Sequence, residues 1–224
     1  MKNKESPVRN FRVASRKKKV AKEVKAIIFD LGNVLIGFDH RIAVKRILTH
    51  TLVPEQEIYD LFFDSRLTND FERGSISPLS FFEKVKSMLG LSLSFDEFSP
   101  IWNEIFFSKH DTEEFIGSLD PGLPLLLLSN INKLHYEHIR RIFSSAMDLF
   151  DTNSIIPSYT TGFVKPEKEI YDIAIATSGV KKDELVYVDD RRDLIEAAQS
   201  YGIRSIQFEG VAQLAKEFKK LGIL

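Results

Sequence analysis

The stretch Lys25-Ala-Ile-Ile-Phe-Asp30-Leu-Gly-Asn-Val34 reveals the architecture of the chain. Its apolar run has no polar alternation, the pattern of a strand covered on both faces, and it ends in an acid followed by a Gly-Asn turn. Bursts of the same kind recur downstream. Pro124-Leu-Leu-Leu-Leu128 stops at Ser129-Asn130, and a weaker extended segment lies at Ser154-Ile-Ile156. Glu184-Leu-Val-Tyr-Val188 stops at Asp189-Asp190, and Ile203–Phe208 comes last. Helical spacing fills the intervals over Leu134–Phe143, Lys168–Thr177, Leu194–Tyr201 and Val211–Leu221. Strands alternating with helices predict an α/β fold, a Rossmann-like parallel sheet.

One interval is too long for a single helix. After Val34–Phe38, which resumes extended character, apolar residues recur at helical spacing: Ile42, Val44, Ile47 and Leu48, then Ile58, Leu61 and Phe62, then Phe81, Phe82, Val85 and Leu89. The pattern continues from Phe95 to Phe107 around Trp102, the only tryptophan. The block predicts an inserted α-helical cap domain over residues 39–110, with residues 25–38 and 111–224 forming the α/β core. Residues 1–24 read as a basic, disordered leader.

Composition narrows the function. With 224 residues, 43% apolar and 28% charged, the chain has the balance of a soluble globular protein. It has no cysteine, which excludes disulfides, iron–sulfur clusters and thiolate zinc sites and fits a reducing, cytoplasmic setting. The net charge of -1 is unevenly spread. Residues 1–25 carry ten Lys or Arg against two acids, so the remainder is acidic, with 21 basic and 30 acidic side chains. An acidic body argues against nucleic acid as partner. The basic leader lacks the apolar segment of a signal peptide, and no apolar run is longer than that of Leu125–Leu128, far short of a membrane span.

In an open parallel sheet, ligands bind beyond the carboxyl ends of the strands. There the bursts leave Asp30, Ser129-Asn130 and Asp189-Asp190, with Lys165-Pro166 in the loop between the last two. Alone, each has a plain reading as a helix cap or turn; their order after successive bursts carries the argument. Three carboxylates gather only where something positive compensates them, and a hard cation with oxygen ligands, Mg2+, is the natural choice. Lysine, hydroxyl and amide donors suit a phosphoryl group. The constellation predicts phosphoryl transfer. His135 and His138, spaced i, i+3 without a third ligand, read as a solvated helix face. Asp39 and His40 sit at the predicted hinge. No glycine-rich phosphate loop, serine nucleophile elbow or HExxH is present, which argues against nucleoside triphosphates as substrates.

Asp30-x-Gly-Asn-Val34, Ser129-Asn130, Lys165-Pro166 and Asp189-Asp190 resemble the four motifs of the haloacid dehalogenase superfamily. The extended stretches Phe29–Val34, Leu128–His135 and Lys165–Tyr171 are similar to the α-D-glucose-1-phosphate phosphatase-like subgroup, which has a small helical cap. Within the cap, Glu72-Arg73-Gly74-x-Ile-Ser77 resembles that subgroup's loop facing the active site. The resemblance implies a Mg2+-dependent phosphatase acting on small-molecule phosphate esters, such as sugar phosphates. Asp30 would be the nucleophile forming an aspartyl-phosphate, and Asp30, the Gly32 carbonyl and Asp190 would hold the metal. Asp189 would orient metal waters, while Ser129, the Asn130 amide and Lys165 would bind the phosphoryl oxygens. Arg73 would contact substrate. Two positions depart from the pattern. Gly32 stands where most phosphatases of the superfamily have a second Asp that moves a proton, which implies a preference for good leaving groups such as a sugar-1-phosphate. The glucose-1-phosphate subgroup shares that Gly, and Asp39 is a possible substitute acid. Leu194 stands where an Asp or Asn is usual. Alternatives are a metal-free 2-haloacid dehalogenase using Asp30 on carbon, and a pseudoenzyme that binds a phosphorylated ligand.

Overall fold

The computed structural model describes residues 23–63 and 65–224; the basic leader lies almost wholly outside them. Among the described residues there are seven strands: β1 (Ala26–Phe29), β2 (Ile36–Phe38), β3 (Phe106–Ser108), β4 (Leu125–Ser129), β5 (Ile155–Pro157), β6 (Leu185–Asp189) and β7 (Arg204–Gln207). Five form one parallel sheet in the order β5-β4-β1-β6-β7. The chain runs outward from β1 through β4 to β5, then crosses to β6 and β7 on the other side. Beside β1 the connections diverge, opening a crevice at the strands' carboxyl ends.

The uninterrupted apolar bursts follow from burial on both faces. Ile27, Phe29, Leu127, Val186 and Val188 point to one side and pack with Ile116 of α6 (His110–Gly117) and with Leu214 and Phe218 of α12 (Val211–Leu221). Ile28, Leu126, Leu128 and Tyr187 point to the other, against Ile170 and Tyr171 of α10 (Lys168–Ser178) and Ile195 and Ala198 of α11 (Arg192–Ser200). Alternation is present, but both sets are apolar because both faces are covered. Helices α7 (Lys133–Ile142), α8 (Ser144–Met147) and α9 (Ser158–Thr161) complete this layer system.

Between β2 and β3 lie α1 (Arg41–Ile47), α2 (Glu55–Phe63), α3 (Arg66–Glu72), α4 (Pro78–Leu89) and α5 (Phe95–Asn103). Their apolar faces meet in a separate core of Val44, Ile58, Phe71, Phe81, Phe98 and Trp102, among others. Phe71 stacks on Phe81 with ring centroids 4.3 Å apart. Local sequence sets the boundaries. Ser77 caps α4 by accepting from the Ser80 amide, with Pro78 in the first turn. Ser94 and Glu97 form a reciprocal capping box on α5.

One sequence expectation is corrected. The helical pattern expected to run to Phe107 stops at Asn103, and Phe106–Ser108 is β3, antiparallel to β2 with Gly37 opposite Phe107. The two strands are the paired linkers into and out of the insert. Gly37 permits the pairing: a Cβ there would lie 2.1 Å from the Phe107 ring.

Candidate active site

Asp30 follows β1 directly, its amide donating to the Val188 carbonyl of β6 at 2.8 Å. That bond fixes it between the two carboxyl ends. Asp189 closes β6, and Lys165 arrives from the loop between α9 and α10. The Lys165 Nζ donates to Asp30 Oδ1 at 2.6 Å, Asp189 Oδ2 at 2.7 Å and the Leu128 carbonyl at 3.2 Å. The lysine is 4% exposed, so these bonds are made away from bulk water. Burial opposes its charge, but the two carboxylates more than reverse this and keep it protonated.

Asn130 positions the lysine through its backbone. Its Oδ1 accepts from the Lys165 amide at 2.7 Å, and its Nδ2 donates to the Lys165 carbonyl at 2.9 Å. Asp189 is fully buried and its oxygens are committed. Oδ1 accepts from the Arg191 amide at 2.8 Å, and Oδ2 accepts from Lys165 and from the Tyr187 hydroxyl. These partners hold Asp189 without any help from position 194, where the buried Leu194 packs at the cleft wall.

Carboxylate oxygens of Asp30, Asp189 and Asp190 lie within 4.8 Å of one another. Three acids face one ammonium, and the charges register the imbalance. Burial pushes the Asp30 carboxyl up to about 7; Lys165 pulls against it while Asp189 and Asp190 add to the rise. Asp190 is also raised, by burial and then by Asp189. Such an oxygen-only, electron-rich donor set fits a hard divalent cation, which Asp30 and Asp190 could hold with Gly32 on the same wall. Asn33, whose side chain reaches Asp190, adopts the left-handed conformation (φ 55°) that Asn tolerates better than most residues. Its carbonyl accepts from Lys109 Nζ at 2.5 Å, tying this turn to the end of β3.

These groups open into a cleft of about 800 Å3 between the sheet and the insert. Asp30, Gly32, Ser129, Asn130, Lys165 and Asp190 all line it. Among the described residues the Ser129 hydroxyl makes only a long 3.5 Å contact, to the Asn130 carbonyl, and so keeps its donor for a ligand.

The insert is fastened over the cleft on two sides. On one side the Ser158 hydroxyl donates to the Glu72 carbonyl at 2.6 Å. Gly74 (φ 71°) lies so close to the Tyr159 carbonyl that a Cβ would meet it at 2.1 Å. On the other, His135 of α7 stacks on Trp102 of α5 and donates from Nε2 to the Trp102 carbonyl at 3.0 Å. Its Nδ1 accepts from Asn132 at 3.0 Å, which fixes the tautomer. His135 is therefore buried and neutral, lowered by burial to about 3, instead of lying on a solvated helix face.

Two further expectations change. Arg73 does not join the cleft: its guanidinium makes a bidentate pair with Glu167 at 2.7 and 2.5 Å and donates to the Gly162 carbonyl at 3.3 Å. Its neighbour Glu72 lines the cleft instead. Asp39 is held by Arg41 through three bonds of 3.0–3.2 Å and lines a separate surface hollow.

A family model described as haloacid dehalogenase-like hydrolase matches residues 24–202. The chain is 27% identical to D-ribitol-5-phosphate phosphatase of Bacteroides thetaiotaomicron over 201 residues, covering 87% of this chain and 96% of the relative. A sesquiterpene phosphatase of Aspergillus oryzae is 24% identical over 201 residues, with 88% and 96% covered. Among solved structures, a haloacid dehalogenase-family enzyme from B. thetaiotaomicron, in complex with magnesium and inorganic phosphate, superposes with a TM-score of 0.75 at 24% identity, over 85% of this chain and 98% of that one. With four fifths of its length matched by the family model and the fold shared, the chain belongs to the haloacid dehalogenase-like hydrolases.

Proposed function

We propose that the protein hydrolyses phosphomonoesters of small metabolites, sugar or polyol phosphates among them, in a Mg2+-dependent reaction. The observation that carries this is the Lys165 ammonium held at once by Asp30 and Asp189, beside Asp190 and the Ser129 hydroxyl. The lysine fixes Asp30 with one oxygen bonded and the other available to attack phosphorus in line. As the new O–P bond forms, the bond to the departing alcohol breaks. Water then attacks phosphorus, freeing inorganic phosphate and the Asp30 carboxylate. Ser129, the Asn130 amide and Lys165 bind the phosphoryl oxygens. When bound by Asp30, Asp190 and the Gly32 carbonyl, Mg2+ supplies positive charge against the phosphoryl group.

Beyond the phosphoryl site the cleft wall mixes Asn69, Thr68, His40 and Glu72 with Phe38 and Trp102, a lining that suits a hydroxylated chain. The insert acts as a cap that excludes water during the reaction, and Arg73 acts as its latch. Arg73→Ala is expected to leave the fold intact and raise KM roughly two- to tenfold, the worth of one partly buried bidentate pair. An unchanged KM would show that Arg73 does not latch the cap.

The reading is tested by phosphate release from a panel of metabolite phosphates, with and without a chelator. Chelation is expected to abolish turnover and added Mg2+ to restore it. Halide release from a 2-haloacid that survives chelation, with no phosphate released, would replace the phosphatase by a dehalogenase.

A further inference from the structure

Breaking an alkyl phosphate expels an alkoxide, which needs a proton as its bond to phosphorus lengthens. Most titratable groups around the cleft are already committed. Lys165 and Asp189 bind each other. Asp190 belongs to the cation site. His135 has its one N–H on the Trp102 carbonyl, and His40, lowered by burial to about 4, carries no ionisable proton at neutral pH. Asp39 faces elsewhere. Gly32 has no side chain, and the space for one is taken: a Cβ there would lie 2.8 Å from the Phe38 ring.

Glu72 is different. It closes α3 and enters the cleft from the insert, while Asp30 enters from the sheet. Its backbone is pinned by Ser158, and its neighbour Arg73 is locked to Glu167, so the position is rigid. With Gly32, Ser129, Asn130 and His40 it also lines a separate small pocket of about 90 Å3. Resting on the phosphatase reading above, we propose that Glu72 is the proton-transfer group of the reaction, giving its proton to the departing alcohol oxygen. The proton moves from the Glu72 carboxyl to the leaving oxygen as the Asp30–phosphorus bond forms and the phosphorus–alcohol bond breaks. The resulting carboxylate then takes a proton from the attacking water as the Asp30–phosphorus bond breaks, which restores both residues.

The charge environment supports the assignment. Burial raises the Glu72 carboxyl to about 7, against the opposing pull of Arg191 and then Lys165. His40 and His135 on the same wall are neutral, and Asp30 and Asp190 lie across the cleft. Glu72 therefore holds a proton in a large fraction of molecules near neutral pH, the condition for an acid that must also act as a base. Primary alkyl phosphates, and not only anomeric ones, become substrates.

The test compares kcat/KM of the wild type and Glu72→Gln, with Mg2+ present, on glucose-6-phosphate and p-nitrophenyl phosphate. This ratio reports the first phosphoryl transfer alone. Glu72→Gln is expected to lose about 10²–10⁴-fold on the alkyl ester and less than about tenfold on the aryl ester, whose leaving group needs no proton. A burst of p-nitrophenol should appear in the variant, because the second step has lost its base. Wild-type activity on the alkyl ester should decline as pH rises past about 7, and the variant should lack that limb. Equal losses on both esters, or none on the alkyl ester, overturn the proposal while the phosphatase stands. Wild-type protein that acts on neither ester overturns both. Should Glu72→Gln fail to fold, the wild type alone decides on a series of esters. A shallow dependence of kcat/KM on leaving-group acidity supports Glu72, and a steep one overturns it.

Discussion

Asp30→Asn is expected to lower phosphate release by on the order of 10⁴-fold or more, the scale seen when a nucleophile is removed, without loss of the fold. The amide cannot attack phosphorus, yet it fits the same space and still accepts from Lys165. Stability should move the other way. Burial places the folded Asp30 at about 7, above the ordinary carboxylate range of the unfolded chain. A group raised in this way favours the fold at low pH, and that advantage is lost as pH climbs from about 4 to about 7. At pH 8 without a divalent cation, the ionised Asp30 is a full cost. The variant should then melt at or above the wild-type temperature, with the difference shrinking toward pH 4. A variant that melts well below the wild type at pH 8 would show that the Asp30–Lys165 pair stabilises more than burial costs. Thermal melts at the two pH values decide it.

Lys165→Met is expected to be the most damaging single change to the fold. It leaves Asp30 and Asp189 facing each other inside the protein with nothing between them. Removing one partner of a buried ion pair costs about 3–5 kcal/mol, which for a chain of this size lowers the melting temperature by about 10 °C. Turnover should fall with it, since the phosphoryl group loses its ammonium. Most of the instability comes from the orphaned acids, so Asp30→Asn/Lys165→Met should recover part of the loss. The two changes touch one cluster and should not add. A double variant no more stable than Lys165→Met would place the instability in lost packing instead of charge.

The strands that build the site were legible because they are covered on both faces: β1, β4 and β6 each leave a four-residue apolar run that a half-exposed strand would not. The acids and the Ser-Asn pair were legible for the same reason, since each directly follows such a run. The β2–β3 ribbon was not. Its strands are three residues long, and Phe106 and Phe107 continue the helical spacing of α5, so only the pairing across Gly37 reveals them. Helix α6 has a short, mostly polar sequence whose stripe is too narrow to stand out. Whether Glu72 or Arg73 faces the cleft depends on the rotational phase of α3 at its last turn. That phase is set by Gly74 resting on Tyr159 and by Ser158 gripping the Glu72 carbonyl, contacts 85 residues or more away in sequence. His135 reads as a surface residue until Trp102 arrives from the insert to cover it.

In the proposed reaction Asp30 carries the phosphoryl group between substrate and water. Mixing the protein with Mg2+ and a phosphate ester, quenching in acid within one turnover and mapping peptides by mass spectrometry tests it directly. One phosphoryl group is predicted on the peptide that contains Asp30, absent from Asp30→Asn and gone after the turnover completes. Sustained phosphate release with that peptide unmodified at every quench time, and with Asp30→Asn equally active, would rule out Asp30 as the phosphoryl carrier.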